Sequence, residues 1–155
     1  MIDFKSIVCV FYDFDGVMTD NRCLINQEGT ESVFVNRGDG YAISKIRDLG
    51  ILQVIISTEE NPVVKRRAEK LKIPVIHSVK DKGKEILRYS EKNNICLGKS
   101  LFIGNDVNDL PAFNVVGFTG APADAEEEIL LIADWVSQKK GGYGVIRDLY
   151  RQMIL

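Results

Sequence analysis

The chain has 155 residues, 45% of them hydrophobic, and carries 20 basic against 22 acidic side chains for a net charge of -2. That length suits one core, so a single domain over residues 1–155 is expected, and the lack of a basic excess argues against nucleic-acid binding. No apolar stretch approaches the roughly 20 residues that cross a bilayer, and the three cysteines (Cys9, Cys23, Cys96), two of them in apolar runs, are odd in number and lack metal-type spacing; a reduced, cytoplasmic protein free of membrane is expected.

In chain order, residues 6–12 (SIVCVFY) form a short continuous apolar run, the pattern of a strand buried on both faces of a parallel sheet. Residues 22–25 and 31–35 read as a β-hairpin around Asn26-Gln27-Glu28-Gly29. Apolar residues at helical spacing over 41–49, stopped by Gly50, predict a helix. A strand at 51–56 and a helix over 62–71 repeat the unit, followed by a strand at 74–77, a helix over 82–92 and a strand at 100–103. The remaining elements are a short helix near Leu110, an apolar run at 115–118, a helix over 127–133, a strand at 135–136 and a terminal helix after Gly144. Alternation of this kind predicts an α/β fold, a doubly wound parallel sheet with a β-hairpin insertion.

In such sheets ligands sit beyond the carboxyl ends of the strands. Those ends here carry Asp13-Phe14-Asp15-Gly16-Val17-Met18-Thr19-Asp20, Ser57-Thr58-Glu59 and Gly104-Asn105-Asp106-Val107-Asn108-Asp109, with Lys82 opening the helix after the third strand. Asp13 and Asp15 are two apart, which on extended backbone aims both at one ligand. Two close carboxylates repel, and a hard cation such as Mg²⁺ relieves the repulsion. The set suits phosphoryl transfer: Asp13 as nucleophile, Asp15 as general acid and then base, Ser57 and Lys82 on the phosphate oxygens. Taken singly, each feature has a plainer reading: a polar turn for the Asp-x-Asp-Gly segment, a helix cap for Ser57, a solvated helix residue for Lys82.

These four segments, in this order and spacing, resemble the motifs of the haloacid dehalogenase superfamily of phosphatases. With only a hairpin where larger members insert a cap domain, the chain is similar to the branch that contains 3-deoxy-D-manno-octulosonate 8-phosphate phosphatase. Arg37-Gly38-Asp39-Gly40 and Gly141-Gly142-Tyr143-Gly144-Val145-Ile146-Arg147 resemble that branch as well. The resemblance implies a Rossmann-like fold, Mg²⁺ held by Asp13, Asp15 (through its main-chain carbonyl) and Asn105 or Asp106, and a homotetramer in which a neighbour closes each site. It also implies a keto-deoxy sugar acid phosphate as substrate. Glu59, Arg67 and Lys70 match the positions where nine-carbon keto-sugar acid phosphatases hold theirs, and Thr58-Glu59 after the motif serine favours a sialic-acid-type 9-phosphate over the octulosonate 8-phosphate. Asn105 stands where many relatives have Asp. Together with residues 120–125 (GAPADA), it resembles the phosphatase-like domain fused to some CMP-sialic acid synthetases, so a weakly active or inactive oligomerisation module is the non-enzymatic alternative.

Other residues have ordinary readings. His77, the single histidine, is expected at a strand end without a metal role. Glu126-Glu127-Glu128 suits the first turn of a helix. Trp135, Ile146, Leu149, Tyr150, Met153 and Ile154 fit core packing or a subunit contact. No glycine pattern supports nucleotide binding.

Overall fold

A computed structural model describes residues 2–155. Its centre is β1 (Cys9–Tyr12), four residues buried without exception. The predicted strand began at residue 6, but Asp3 caps a 3₁₀ turn over Phe4–Ser6 and delays the extended segment. A two-stranded hairpin follows, β2 (Leu24–Ile25) with β3 (Glu31–Ser32), its root closed by an antiparallel bridge between Thr19 and Val35. No cap domain separates β1 from α1 (Arg37–Asp48). The Asn36 side chain accepts hydrogen bonds from Gly38 and Asp39 N–H groups, so α1 begins four residues before the predicted start and absorbs the Arg-Gly-Asp-Gly segment.

The chain continues through β4 (Leu52–Ile56), α2 (Val63–Leu71), β5 (Val75–Ile76), α3 (Lys82–Asn93) and β6 (Ser100–Ile103). It then forms α4 (Leu110–Phe113), β7 (Phe118–Ala121), α5 (Glu127–Leu130), β8 (Trp135–Val136) and α6 (Val145–Ile154). Two predicted elements shift. The apolar run at 115–118 is not the strand: Val115 and Val116 pack into the core beside α4, and the less hydrophobic Phe-Thr-Gly-Ala segment pairs with β6. The helix expected over 127–133 closes at Leu130, leaving Leu131 and Ile132 exposed.

The six main strands are all parallel, in the order β5-β4-β1-β6-β7-β8. Alternation along β1 divides the core into two layers. Val10 and Tyr12 face α1, α2 and α6 through Ile43, Ala68 and Leu149, whereas Cys9 and Phe11 face α3, α4 and α5 through Ile86, Phe113 and Ile129. Helices thus cover both faces, as a doubly wound sheet requires. Trp135, Ile146, Leu149 and Met153 join the core; Ile154 and His77 are exposed. Of the cysteines only Cys9 is buried, which pushes its thiol up to about 12, while Cys23 and Cys96 are exposed. Among the described residues no helix is long and apolar enough to cross a membrane. The chain runs from β1 outward to β5 and returns to β6 on the other side of β1, so strand order reverses there and a crevice opens beyond Tyr12.

Candidate active site

Asp13 extends β1 by one residue, its N–H donating to Ile103 O at 2.9 Å. The chain then folds back sharply. Phe14 N–H donates to Asp13 Oδ1 at 2.7 Å, and the N–H groups of Met18 and Thr19 converge on Phe14 O at 2.9 and 3.2 Å. Gly16 makes the turn possible: it has φ +86°, and a Cβ there would run into the Asn105 side chain. Thr19, fully buried, accepts from Gly16 N–H and donates to Asp15 Oδ1, each at 3.2 Å, and so orients the second aspartate.

Lys82 opens α3, is 1% exposed, and lies between two carboxylates, 2.7 Å from Asp13 Oδ1 and 2.6 Å from Asp109 Oδ1. Asp109 is completely buried, and its other oxygen accepts from the N–H groups of Asn105 and Asp106 at 2.9 and 3.3 Å. It therefore pins the β6 loop and the lysine together. Burial and then repulsion from Asp109 push Asp13 up to about 7 against the lowering pull of Lys82. Burial alone would lower Lys82, but Asp13 and Asp109 outweigh it and raise it. Burial also raises Asp15, opposed by the Thr19 hydroxyl and Lys82.

One ammonium against Asp13, Asp15 and Asp109 leaves an excess of negative charge in a largely enclosed crevice. Asn105 turns this into a cation-shaped donor set. With its amide nitrogen inward it donates to Asp13 Oδ2 at 3.1 Å and to the main-chain oxygen of Asp15 at 2.9 Å. With the amide turned over, three oxygens converge with no donor among them, an arrangement that a bound cation relieves. A hard divalent ion fits these residues.

The other expected residues separate into two groups. Ser57 ends β4 beside β1, is buried, and accepts from Glu59 N–H at 3.1 Å, which leaves its hydroxyl proton free to donate. Glu59 lines a cavity of about 200 Å³ with Asp15, Arg22, Glu31 and Asn61, between the hairpin and the start of α2. Arg67 and Lys70 do not line it: they face a separate groove with Arg37, Arg47 and Lys72, and Arg67 donates to Asn36 O at 3.1 Å. Asp106 also lies apart, its carboxylate capping the following turn through Val107 N–H at 2.6 Å rather than bonding to Asp13 or Asp15. The structure puts Asp109, not Asp106, in contact with the cluster. Sequence reasoning left Asp109 without a leading place, although its spacing of three from Asp106 is the signature of the capping box that turns its side chain inward.

A family model described as haloacid dehalogenase-like hydrolase matches residues 58–149. A crystal structure of a HAD family hydrolase from Streptomyces avermitilis superimposes with a TM-score of 0.96 at 42% identity, over 99% of this chain and 88% of that one. The 3-deoxy-D-manno-octulosonate 8-phosphate phosphatase of Moraxella catarrhalis, solved with magnesium, phosphate and KDO, superimposes with a TM-score of 0.92 at 29% identity, over 97% of this chain and 87% of that one. The N-acylneuraminate cytidylyltransferase A of Danio rerio is 26% identical over 144 residues, 90% of this chain but only 33% of that protein, so the chain spans a third of its length. With its fold, its strand-end carboxylates and the family match over residues 58–149 in agreement, the chain belongs to the haloacid dehalogenase-like hydrolases.

Proposed function

We propose that the protein is a Mg²⁺-dependent phosphatase acting on a keto-deoxy sugar acid phosphate through an aspartyl-phosphate on Asp13. The observation that carries this reading is the convergence of Asp13 Oδ2, Asp15 O and the Asn105 amide beside an Asp13–Lys82 ion pair. Magnesium held by Asp13, the Asp15 carbonyl and Asn105 would neutralise phosphate charge and hold Asp13 ionised. Asp106 stands one residue from this set and would act on it only indirectly. Lys82 and the Ser57 hydroxyl bind the remaining phosphate oxygens.

Asp13 attacks phosphorus while the ester P–O bond breaks, and Asp15 delivers its proton to the departing alcohol oxygen. Burial favours that protonated form. Asp15 then removes a proton from water, whose oxygen attacks phosphorus, releasing phosphate and restoring the Asp13 carboxylate. Next to Asp15, the carboxylates of Glu31 and Glu59 accept hydrogen bonds and suit a hydroxylated tail at the phosphorylated end of a sugar. Within one chain Glu59 alone of the three expected contacts stands there. Arg67 and Lys70 would meet substrate only through assembly, and the exposed Leu24, Ile25, Phe34 and Tyr143 support a homotetramer.

Likeness to a cytidylyltransferase named for N-acylneuraminate supports a nine-carbon 9-phosphate, and likeness to the octulosonate phosphatases supports the eight-carbon 8-phosphate about as well. The test is phosphate release with Mg²⁺ from sialic acid 9-phosphate, its deaminated analogue and 3-deoxy-D-manno-octulosonate 8-phosphate, with Asp13→Asn as background. Preference for the nine-carbon esters supports the first assignment; preference for the octulosonate replaces it with the second. No Mg²⁺-dependent release from any of them by folded protein would favour an assembly module.

A further inference from the structure

Two carboxylates outside the chemistry above, Asp39 and Asp124, hold the loop 141–144 against the back of the Asp15 turn. Gly144, the residue before α6, has φ +104° and no side chain with which to cap the helix. Asp39, in the first turn of α1, supplies the cap from 108 positions away: its Oδ1 accepts from Arg147 N–H at 2.9 Å, and the Ile146 N–H also faces this carboxylate. At the other end of the loop, Gly141 N–H donates to Asp124 Oδ1 at 2.8 Å.

Between these anchors the loop lies directly on the turn that carries Asp15. Gly142 N–H donates to Val17 O at 3.0 Å. A side chain at 141 would collide with the main-chain oxygens of Gly16 and Thr19, and one at 142 with the backbone of Thr19 and Asp20. Thr19 is the residue whose hydroxyl orients Asp15. Contacts therefore run from Asp124 directly, and from Asp39 through the first turn of α6, into the loop and on to Thr19 and Asp15. Capping α6 alone would not require a glycine pair pressed onto the catalytic turn.

We propose that Asp39 and Asp124 are positioning residues for Asp15, acting through the loop 141–144. The proposal rests on the reading of Asp15 as general acid. Releasing either anchor lets the loop lift, loosens Thr19 against Asp15, and costs proton transfer to the leaving alcohol more than attack on phosphorus.

The distinguishing readout is the leaving group. p-Nitrophenolate departs with little help from an acid, whereas a sugar alkoxide requires its proton. Asp39→Ala and Asp124→Ala, assayed at saturating Mg²⁺, are expected to lower kcat/KM for the sugar acid phosphate about tenfold more than for p-nitrophenyl phosphate. Asp39→Asn, which keeps an acceptor oxygen for the α6 N–H groups, is expected to return most of the loss. Asp124 is exposed, so its replacement keeps the test decisive even if Asp39→Ala does not fold. Equal slowing on both substrates by folded variants, or no slowing, overturns the proposal and leaves the phosphatase reading standing. Failure of the wild-type protein to hydrolyse either substrate overturns both.

Discussion

Lys82 Nζ lies 2.6 Å from Asp109 Oδ1, and both side chains are buried. Removing Asp109 leaves Lys82 paired with Asp13 but takes the acceptor away from the Asn105 and Asp106 N–H groups, and a buried donor left without a partner costs about 1–3 kcal/mol. Asp109→Ala is therefore expected to lose about that much stability and nearly all turnover, because the same carboxylate holds the Asn105 and Asp106 N–H groups. Urea denaturation and phosphate release measured on one preparation check it; a variant as stable as wild type would contradict the structural role.

Asp13 is held by Lys82 and Phe14 N–H but repelled by Asp109. Asp13→Asn removes the repulsion and keeps the shape of the side chain. We expect melting within a few degrees of the wild type, with turnover lowered at least about a thousandfold. Retained turnover in that variant would exclude the covalent route.

In the proposed metal site Asn105 would contribute a neutral oxygen beside the Asp13 carboxylate and the Asp15 carbonyl. Charge count tunes the affinity of a hard cation, so Asn105→Asp is expected to lower the Mg²⁺ concentration for half-maximal activity by roughly tenfold. Without metal the same change adds a carboxylate to a crowded anionic crevice and lowers the melting temperature. Titration calorimetry with Mg²⁺ and melting in EDTA measure the two effects separately. Chelation is expected to abolish turnover of both proteins, reversibly.

Asp39 provides a pH test. It is 3% exposed, burial pushes it up to about 6 from 3.8, and its Oδ2 has no partner. The groups facing it are Arg67 from α2, the Arg147 and Ile146 N–H groups of α6, and the Tyr12 hydroxyl of β1. A folded-state pKa above the unfolded one means that the native state binds the proton more tightly. Stability from this group is thus greatest below about 3.8 and falls as pH rises through 6, by about 3 kcal/mol in all. Asp39→Asn lacks this dependence. Urea denaturation at pH 4 and pH 7 should show wild type losing about 2 kcal/mol relative to the variant over that interval; parallel profiles would mean that folding does not raise Asp39.

Much of the candidate site was legible because each of its residues stands at the end of a short element that periodicity marks. Asp13 and Asp15 are fixed relative to one another by the end of a buried strand, and Ser57 and Lys82 by the ends of the next two units. The choice between Asp106 and Asp109 was signalled only by their capping-box spacing. Both are acidic and three apart, and only the 3₁₀ turn at Val107–Asp109 sends one outward to cap and the other inward to Lys82. Arg67 and Lys70 share a helix face, as their spacing indicates, but α2 packs so that this face opens toward α1 and away from Asp15.

By itself, then, the sequence determined the alternation of strands and helices, the strand ends at which chemistry collects and the chemical types gathered there, because each follows from periodicity over a few residues. Tertiary structure decided which charges meet: Lys82 with Asp109 across 27 positions, and Asp39 with the start of α6 across 108. Such contacts depend on how helices seat on the two faces of the sheet, which is set by the packing of the whole core and is not encoded in any short segment.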